Sequence, residues 1–330
     1  MLVMGIETSC DETSVAVVNE KKEILSNVIL SQYKEHQKFK GVVPEIAARA
    51  HLEYIEGVAR QSLSEAQVKM SDLDAIAATS GPGLIGGVII GSLFAKTLAL
   101  GTDKPFIAVN HLQGHALSPR LSADISFPYL LLLTSGGHCQ IILVKGVREF
   151  ELLSTTIDDA AGEALDKVAK MLDIGYPGGP ALEKCAKDGC DTAFKFSHPK
   201  TQNPLDFSFS GLKSAALREF EKNPNLNKND LCASFQKIIC DVLCERINLA
   251  LTQTKAERLV VAGGVSANQM LRTNLELTAQ KHHAAFFAPA LNLCTDNGAM
   301  IAWAGLENLR LGYTSPLSFG VRPRWPLTEI

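Results

Sequence analysis

MLVMGIETSCDETSVAVV, Met1 to Val18, is a strand, a polar turn and a second strand. Val3 to Glu7 is apolar, Thr8 to Thr13 packs small hydroxyls with acids, and Ser14 to Val18 is apolar again. Alternation of that kind around a polar run predicts a β-hairpin. The same grammar returns in YLLLLTSGGHCQIILV, Tyr129 to Val144, with Ser135-Gly136-Gly137-His138 as the turn. Two such hairpins in one chain predict an α/β protein of two lobes related by duplication, each hairpin turn facing a shared central cleft.

Outward from the first hairpin, Ile24 to Ser31 reads as a third strand, and Pro44 opens a helical pattern carried by Ile46, Ala50, Leu52, Ile55, Val58 and Ala59. Asp74 to Ala78 is strand-like, Gly81-Pro82-Gly83 breaks it, and a helix is expected from about Leu84 to Leu100. A strand over Phe106 to Val109 leads into a helix over His111 to Leu121. After the second hairpin, helices are expected near Gly162 to Leu172, Gly179 to Ala186 and Leu231 to Thr254, then a strand over Arg258 to Ala262. Gly263-Gly264 next turns into a helix capped by Ser266, and the last long helix runs from about Asp296 to Leu311. Phe194 to Phe209, with Pro199 and Pro204 and no period, reads as a loop. The lobes expected on this pattern are 1–125 with 300–330, and 126–299.

Composition narrows the class. With 330 residues and 46% hydrophobic content the chain can bury a large core. Its runs Leu130 to Leu133 and Ile141 to Val144 fall short of the roughly 20 residues of a membrane span, and Met1 to Ile6 has no secretory or Arg-rich leader character. A cytoplasmic, non-membrane protein with its eight cysteines free is the expectation. Cys240 and Cys244, one helical turn apart in an apolar run, read as buried rather than ligating. A net charge of −3 speaks against a broad nucleic-acid surface, so any RNA contact is local or shared with a partner. Lys34, Lys38 and Lys40 form one basic segment, readable as a solvated loop or as a phosphate contact.

The sharpest chemical signal is His111-Leu112-Gln113-Gly114-His115. Imidazoles at i and i+4 share a helix face and can bind one metal ion, and here they follow a strand end, where α/β clefts open. The zincin pattern places a Glu beside its first His as general base; Leu112 and Gln113 supply none. Asp296 is the candidate third ligand, unless it merely caps the last helix. Two His and one carboxylate leave positions open for substrate and suit a divalent ion such as iron(II). The turn Thr8 to Thr13 carries hydroxyls and acids that can face phosphate or accept a proton, or is simply an acidic solvated turn, and Thr134 to His138 is a glycine-rich counterpart. VAGGVSAN, Val261 to Asn268, suits a nucleotide lying on bare backbone or simply a tight turn. Asp166, within Gly162 to Lys167, reads as a substrate contact or as a solvated helix face.

Taken in order, GIETSCDETS, GVVPEIAAR from Gly41, HLQGH, LTSGGH, GEALDK, YPGGP, FSFSGLK from Phe207 and AGGVSAN closely resemble the TsaD family, in its bacterial form, from Met4 to about Pro323. The resemblance implies an actin-like ATPase fold, that of sugar kinases, Hsp70 and actin. It also implies transfer of a threonylcarbamoyl group from L-threonylcarbamoyladenylate to N6 of the adenosine 3′ to the anticodon, in tRNAs reading codons that begin with A, with AMP released. Carried onto this chain it makes His111, His115 and Asp296 ligands of iron(II) or zinc, and Asp11 and Glu12 the catalytic carboxylates. The donor would then be held by Leu133, Thr134, Ser135, Gly136, Gly137, Asp166, Gly179 and Asn268. The implied partners are a TsaB-like inactive paralogue and a TsaE-like ATPase. Three rivals remain at this point: a kinase of the same fold, which the His pair disfavours; an endopeptidase, which lacks its base; and a scaffold, which has no need of a ligand set.

Overall fold

The computed structural model describes every residue except Lys38 and Lys40, so two lysines of the basic segment lie outside the described residues. The chain divides into two compact units. Met1–Ile125, Gly146–Glu149 and Thr295–Ile330 make the first, and Ser126–Lys145 with Phe150–Cys294 the second.

In the first unit, β1 (Leu2–Glu7) and β2 (Glu12–Asn19) pair antiparallel from Leu2↔Asn19 to Glu7↔Ser14, which leaves residues 8–11 as the polar turn. β3 (Ile24–Ser31) continues that ladder beyond β2. On the other side of β1, β4 (Ala75–Gly81) and β5 (Phe106–Asn110) add in parallel, giving the order β3-β2-β1-β4-β5. Parallel strands are covered on both faces and need apolar residues on each, and β4 and β5 are buried at every position. The helices are α1 (Tyr33–Gln37), α2 (Pro44–Ala66), α3 (Ile85–Thr102), α4 (His111–Leu117) and α5 (Pro119–Ser122). Pro44 starts α2, where a missing N–H costs nothing. Met4, Ile6, Val15 and Val17 from the sheet meet Ile55 and Ala95 from α2 and α3 in one core.

Two expectations change here. The helix foreseen over His111 to Leu121 is two helices meeting at Ser118, because Pro119 has no N–H to continue the first. The apolar runs picked from the sequence also understate α3, which is long and apolar enough to cross a membrane by length and composition alone. In the fold its small residues Gly87, Gly91, Ser92 and Ala95 are buried, while Ile85, Ile89 and Leu93 stand exposed.

The second unit repeats the plan. β6 (Tyr129–Thr134) and β7 (Cys139–Gly146) pair antiparallel up to Thr134↔Cys139, and β8 (Glu149–Thr155) follows. Then come α6 (Ala161–Leu172), α7 (Gly178–Ala186), α8 (Ser210–Lys222), α9 (Lys228–Thr254), β9 (Arg258–Ala262), α10 (Gln269–Lys281) and β10 (Ala285–Phe287). The order β10-β9-β6-β7-β8 is the first sheet over again, with β9 parallel to β6 as β4 is to β1. The last helix, α11 (Gly298–Arg310), returns to the first unit.

β8 and α8 escape a local reading. β8 is half-exposed and charged. α8 has no cap of its own: Asp158, about fifty residues upstream, accepts from the N–H groups of Phe209 and Ser210. The capping of α10 also differs from expectation. Ser266 lies in a short 3-10 turn, Gly264–Ala267, and Asn268 caps the helix by accepting from Leu271 N–H. Gly263, at φ +91°, brings its backbone against Thr134, where a Cβ would stand 2.4 Å from the Thr134 carbonyl oxygen. Gly263→Ala is expected to cost about 1–3 kcal/mol, read as a fall in the urea midpoint. Gly101→Ala, at the end of α3 with open space around it, is expected to be neutral or to add up to about 1 kcal/mol.

Candidate metal centre and donor loops

Parallel pairing brings the carboxyl ends of β1, β4 and β5 to one edge of the first sheet, and the site is built on the residues that follow them. His111 opens α4 directly after β5, and Asn110 caps that helix by accepting from Leu112 N–H. One turn on, His115 lies edge to face with His111, the ring centroids 4.8 Å apart. Asp296 comes just before α11. Its neighbour Asn297 takes the cap, accepting from Met300 N–H, so the alternative that Asp296 is the helix cap falls. Asp296 Oδ1 lies 3.0 Å from His115 Nε2 and 3.6 Å from His111 Nε2. The three ligand atoms are within 4.8 Å of one another.

The far edge of the His111 ring is held as well. Its Nδ1 is 3.0 Å from Glu7 Oε2 and 3.1 Å from Ser9 Oγ. Glu7, with no exposure to solvent, also accepts from Thr79 Oγ1 and from Ser9 N–H. The turn after Glu7 is pinned by His51 of α2, whose Nε2 lies 3.1 Å from the Cys10 carbonyl oxygen and whose Nδ1 lies 2.8 Å from Thr13 Oγ1. Burial lowers the pKa of His51, which favours a neutral ring donating from Nε2 and accepting at Nδ1. None of Glu7, Thr79 and His51 was singled out from the sequence. A strand-end acid beside a polar turn was visible, but nothing local tied it to a histidine about a hundred residues later.

Negative charge is in surplus around the two imidazoles. Burial, then Asp11 and Asp296, raise Glu12 well above the ordinary carboxylate range. Burial, then Asp11, likewise raise the Cys10 thiol, which disfavours thiolate chemistry there. Burial opposes charge on His111, but Asp296 and then Glu7 outweigh it and raise the ring from its ordinary 6.5 to about 9. Burial would raise Glu7, yet the charge and hydrogen bond of His111 bring it below its ordinary value. Two ring nitrogens and a carboxylate oxygen converging in a buried acidic setting match the donor set of a divalent cation. At the position where a zincin carries its glutamate stands the buried Leu112, and Gln113 beside it donates to the Val147 carbonyl oxygen.

The expected donor residues gather in the second unit. Leu133 and Thr134 end β6, buried; Gly136 and Gly137 are exposed in the turn, which Ser135 N–H closes by donating to the His138 carbonyl oxygen at 2.8 Å. Gly162 in the first turn of α6 abuts this turn, where a Cβ would stand 2.5 Å from the Ser135 carbonyl oxygen. Asp166, further along α6, accepts from Gly178 N–H at 2.7 Å and so fixes the start of α7, beside the open backbone of Gly179. Asn268 is more engaged than a free ligand contact: besides capping α10 it donates to Gln236 Oε1 at 3.0 Å, which leaves one amide N–H. The turn and the N-terminus of α6 that abuts it bring backbone donors together, an arrangement suited to an anion.

Comparison with known proteins gives one result. The profile of the family TsaD, tRNA N6-adenosine threonylcarbamoyltransferase, matches residues 23–303. A relative of that name from Paramagnetospirillum magneticum is 54% identical, covering 99% of this chain and 97% of its own. Another from Rhodospirillum rubrum is 52% identical, covering 98% and 94%. Among solved structures, HypF of T. kodakarensis superposes with a TM-score of 0.64 at 15% identity, over 94% of this chain and 48% of that one. Component A of the Acidaminococcus fermentans (R)-2-hydroxyglutaryl-CoA dehydratase gives 0.56 at 16%, over 94% and 99%. At such identities the structural likeness speaks for the fold alone, and that fold is the actin-like ATPase fold.

The raised pKa of His111 sets a pH dependence. A metal must displace the proton from Nε2, so zinc affinity, measured by chelator competition, is expected to climb with pH by about tenfold per unit and level off near 9. The metal-free protein moves the other way. With the folded value above the unfolded one, the contribution of charged His111 to stability is complete below 6.5 and is lost as pH rises through about 9. An affinity flat between pH 6.5 and 8.5 would refute this.

Proposed function

The chain belongs to the TsaD family of tRNA N6-adenosine threonylcarbamoyltransferases, and on that premise we propose which of its residues perform the reaction. The enzyme moves the threonylcarbamoyl group of L-threonylcarbamoyladenylate to N6 of the adenosine 3′ to the anticodon, in tRNAs reading codons that begin with A, and AMP leaves. His111, His115 and Asp296 hold a divalent ion, iron(II) first and zinc second. The observation that carries this is the convergence of both Nε2 atoms on one Asp296 oxygen within an acidic, buried setting. Once bound, such an ion supplies fixed positive charge for an acyl carbonyl or the phosphate beside it.

Asp11 takes the proton that N6 loses on acylation, and Glu12 stays beside it as the neutral, proton-bearing partner that its burial and the charge of Asp11 favour. The adenine amine is a weak nucleophile. Alignment and the mixed-anhydride donor supply what its basicity does not, and the target base leaves its stack to reach the acid pair.

In the second unit, the turn from Leu133 to Gly137 and the N-termini of α6 and α7 hold the donor phosphate by backbone N–H groups. Asp166, which accepts from Gly178 N–H, contacts a ribose hydroxyl of the donor. Gly179 and the remaining amide N–H of Asn268 border the adenosine. Work on tRNA implies the cytoplasm. A TsaB-like paralogue and a TsaE-like ATPase are the expected partners, and the exposed stripe Ile85, Ile89 and Leu93 on α3 suits a partner helix.

The test is mass spectrometry of nucleosides from a cognate tRNA incubated with L-threonylcarbamoyladenylate, the protein and both partners. Wild type is expected to form threonylcarbamoyladenosine. His111→Ala should lose both metal and product, and Asp11→Asn should slow transfer by about 10²- to 10⁴-fold while retaining metal. Asp11→Asn at full rate would remove Asp11 from proton transfer. Asp166→Ala is expected to raise the KM for the donor by about tenfold, at the roughly 1.4 kcal/mol of one hydrogen bond. An unchanged KM would take Asp166 out of donor binding.

A further inference from the structure

We infer that Glu7 is a positioning residue of the metal centre: its buried carboxylate fixes which nitrogen of His111 carries the proton and aims the other at the metal position. The inference rests on the metal reading of His111, His115 and Asp296. Glu7 ends β1 with no solvent exposure, and three donors converge on it: Ser9 N–H on Oε1, and Thr79 Oγ1 and the His111 Nδ1 edge on Oε2. An ionised carboxylate only accepts hydrogen bonds, so Nδ1 of His111 must carry the hydrogen. In the neutral ring the lone pair is then on Nε2, the atom that faces Asp296. Ser9 Oγ, also near Nδ1, provides a second acceptor on the same edge.

A simple strand tether does not account for this arrangement. A neutral amide could serve both strand neighbours, its oxygen accepting from Ser9 N–H and its NH2 donating to Thr79 Oγ1, with no need to bury a charge. What needs the carboxylate is the imidazole edge. An amide in its place can turn its NH2 toward Nδ1, which moves the ring proton to Nε2 and blocks the ligand atom. Outer carboxylates of this kind commonly change metal affinity by about 10- to 100-fold. His115 has no equivalent: its Nδ1 is buried and lacks a protein partner. The two ligands therefore differ in how firmly they are oriented, with His111 the anchored one.

The experiment uses the whole protein stripped of metal and titrated with cobalt(II) alone at one pH, reading Kd by chelator competition and coordination from the visible d–d bands. Glu7→Gln is expected to weaken cobalt binding by about 10- to 100-fold and to alter the bands, while the metal-free protein stays folded with a lowered melting temperature, because Glu7 helps hold the charge on His111. Glu7→Asp, which keeps the charge at a shorter reach, should recover part of the affinity. Should Glu7→Gln fail to fold, Thr79→Val, which removes one donor from the carboxylate, should weaken binding severalfold in the same direction. Glu7→Gln within twofold of wild type, with unchanged bands, overturns the role of Glu7 and leaves the metal centre standing. Wild type that takes up no cobalt overturns both.

Discussion

Parallel pairing of β1, β4 and β5 is the constraint on which the first unit depends. Ile6↔Ala78 and Gly81↔Asn110 are in register, so the chain leaves three neighbouring strands at the same edge. That places Glu7 against Thr79 and sets the start of α4, with His111, within reach of both. A slip of one residue along β1 would turn Glu7 to the opposite face of the sheet and leave His111 without its acceptor. Asp296 reaches the same place from the far end of the chain because α11 packs on this sheet and Asn297 holds its first turn.

The duplicated hairpins show how one topology serves two kinds of charge. In the first unit the turn between the paired strands is acidic: beyond burial, Asp11, Asp296 and Glu7 raise Glu12, and Asp296 and Glu7 raise His111; such a setting calls for a cation. The matching turn of the second unit has glycine where the first has acids, and the start of α6 abuts it so closely that Gly162 admits no side chain. Bare N–H groups in that position favour an anion. The sheet order is the same in both, so the difference lies in four or five turn residues and in what packs behind them.

Most elements were legible along the chain because their periods are strong: the paired strands, the Pro44 helix and the long apolar helices all follow from alternation or 3.6-residue spacing. The departures at helix ends have one cause. α8 is capped by Asp158 from another segment, α10 by Asn268 rather than Ser266, and the helix after β5 stops at Ser118 because of a single proline. Caps and breaks depend on single hydrogen bonds, which the apolar period does not encode. α3 shows the converse: its composition alone suits a membrane span, and only the packing of its small residues on Thr8, His51 and Ser80 explains the face that is buried.

For the site, sequence by itself determined the donor atoms. Two histidines at helical spacing after a strand, an acidic turn and glycine-rich strand-to-helix turns name the chemistry through residue type and local period, and eight motifs in order name the family. Only the tertiary structure decided which of those atoms meet. It turned Asp296 from a possible cap into a partner of both histidines, engaged most of the Asn268 amide in the fold, and brought Glu7 and Thr79 to the back of His111. The reason is physical: a hydrogen bond requires two groups within about 3 Å of each other, and that closeness comes from strand register and helix packing, to which neighbours along the chain carry no clue.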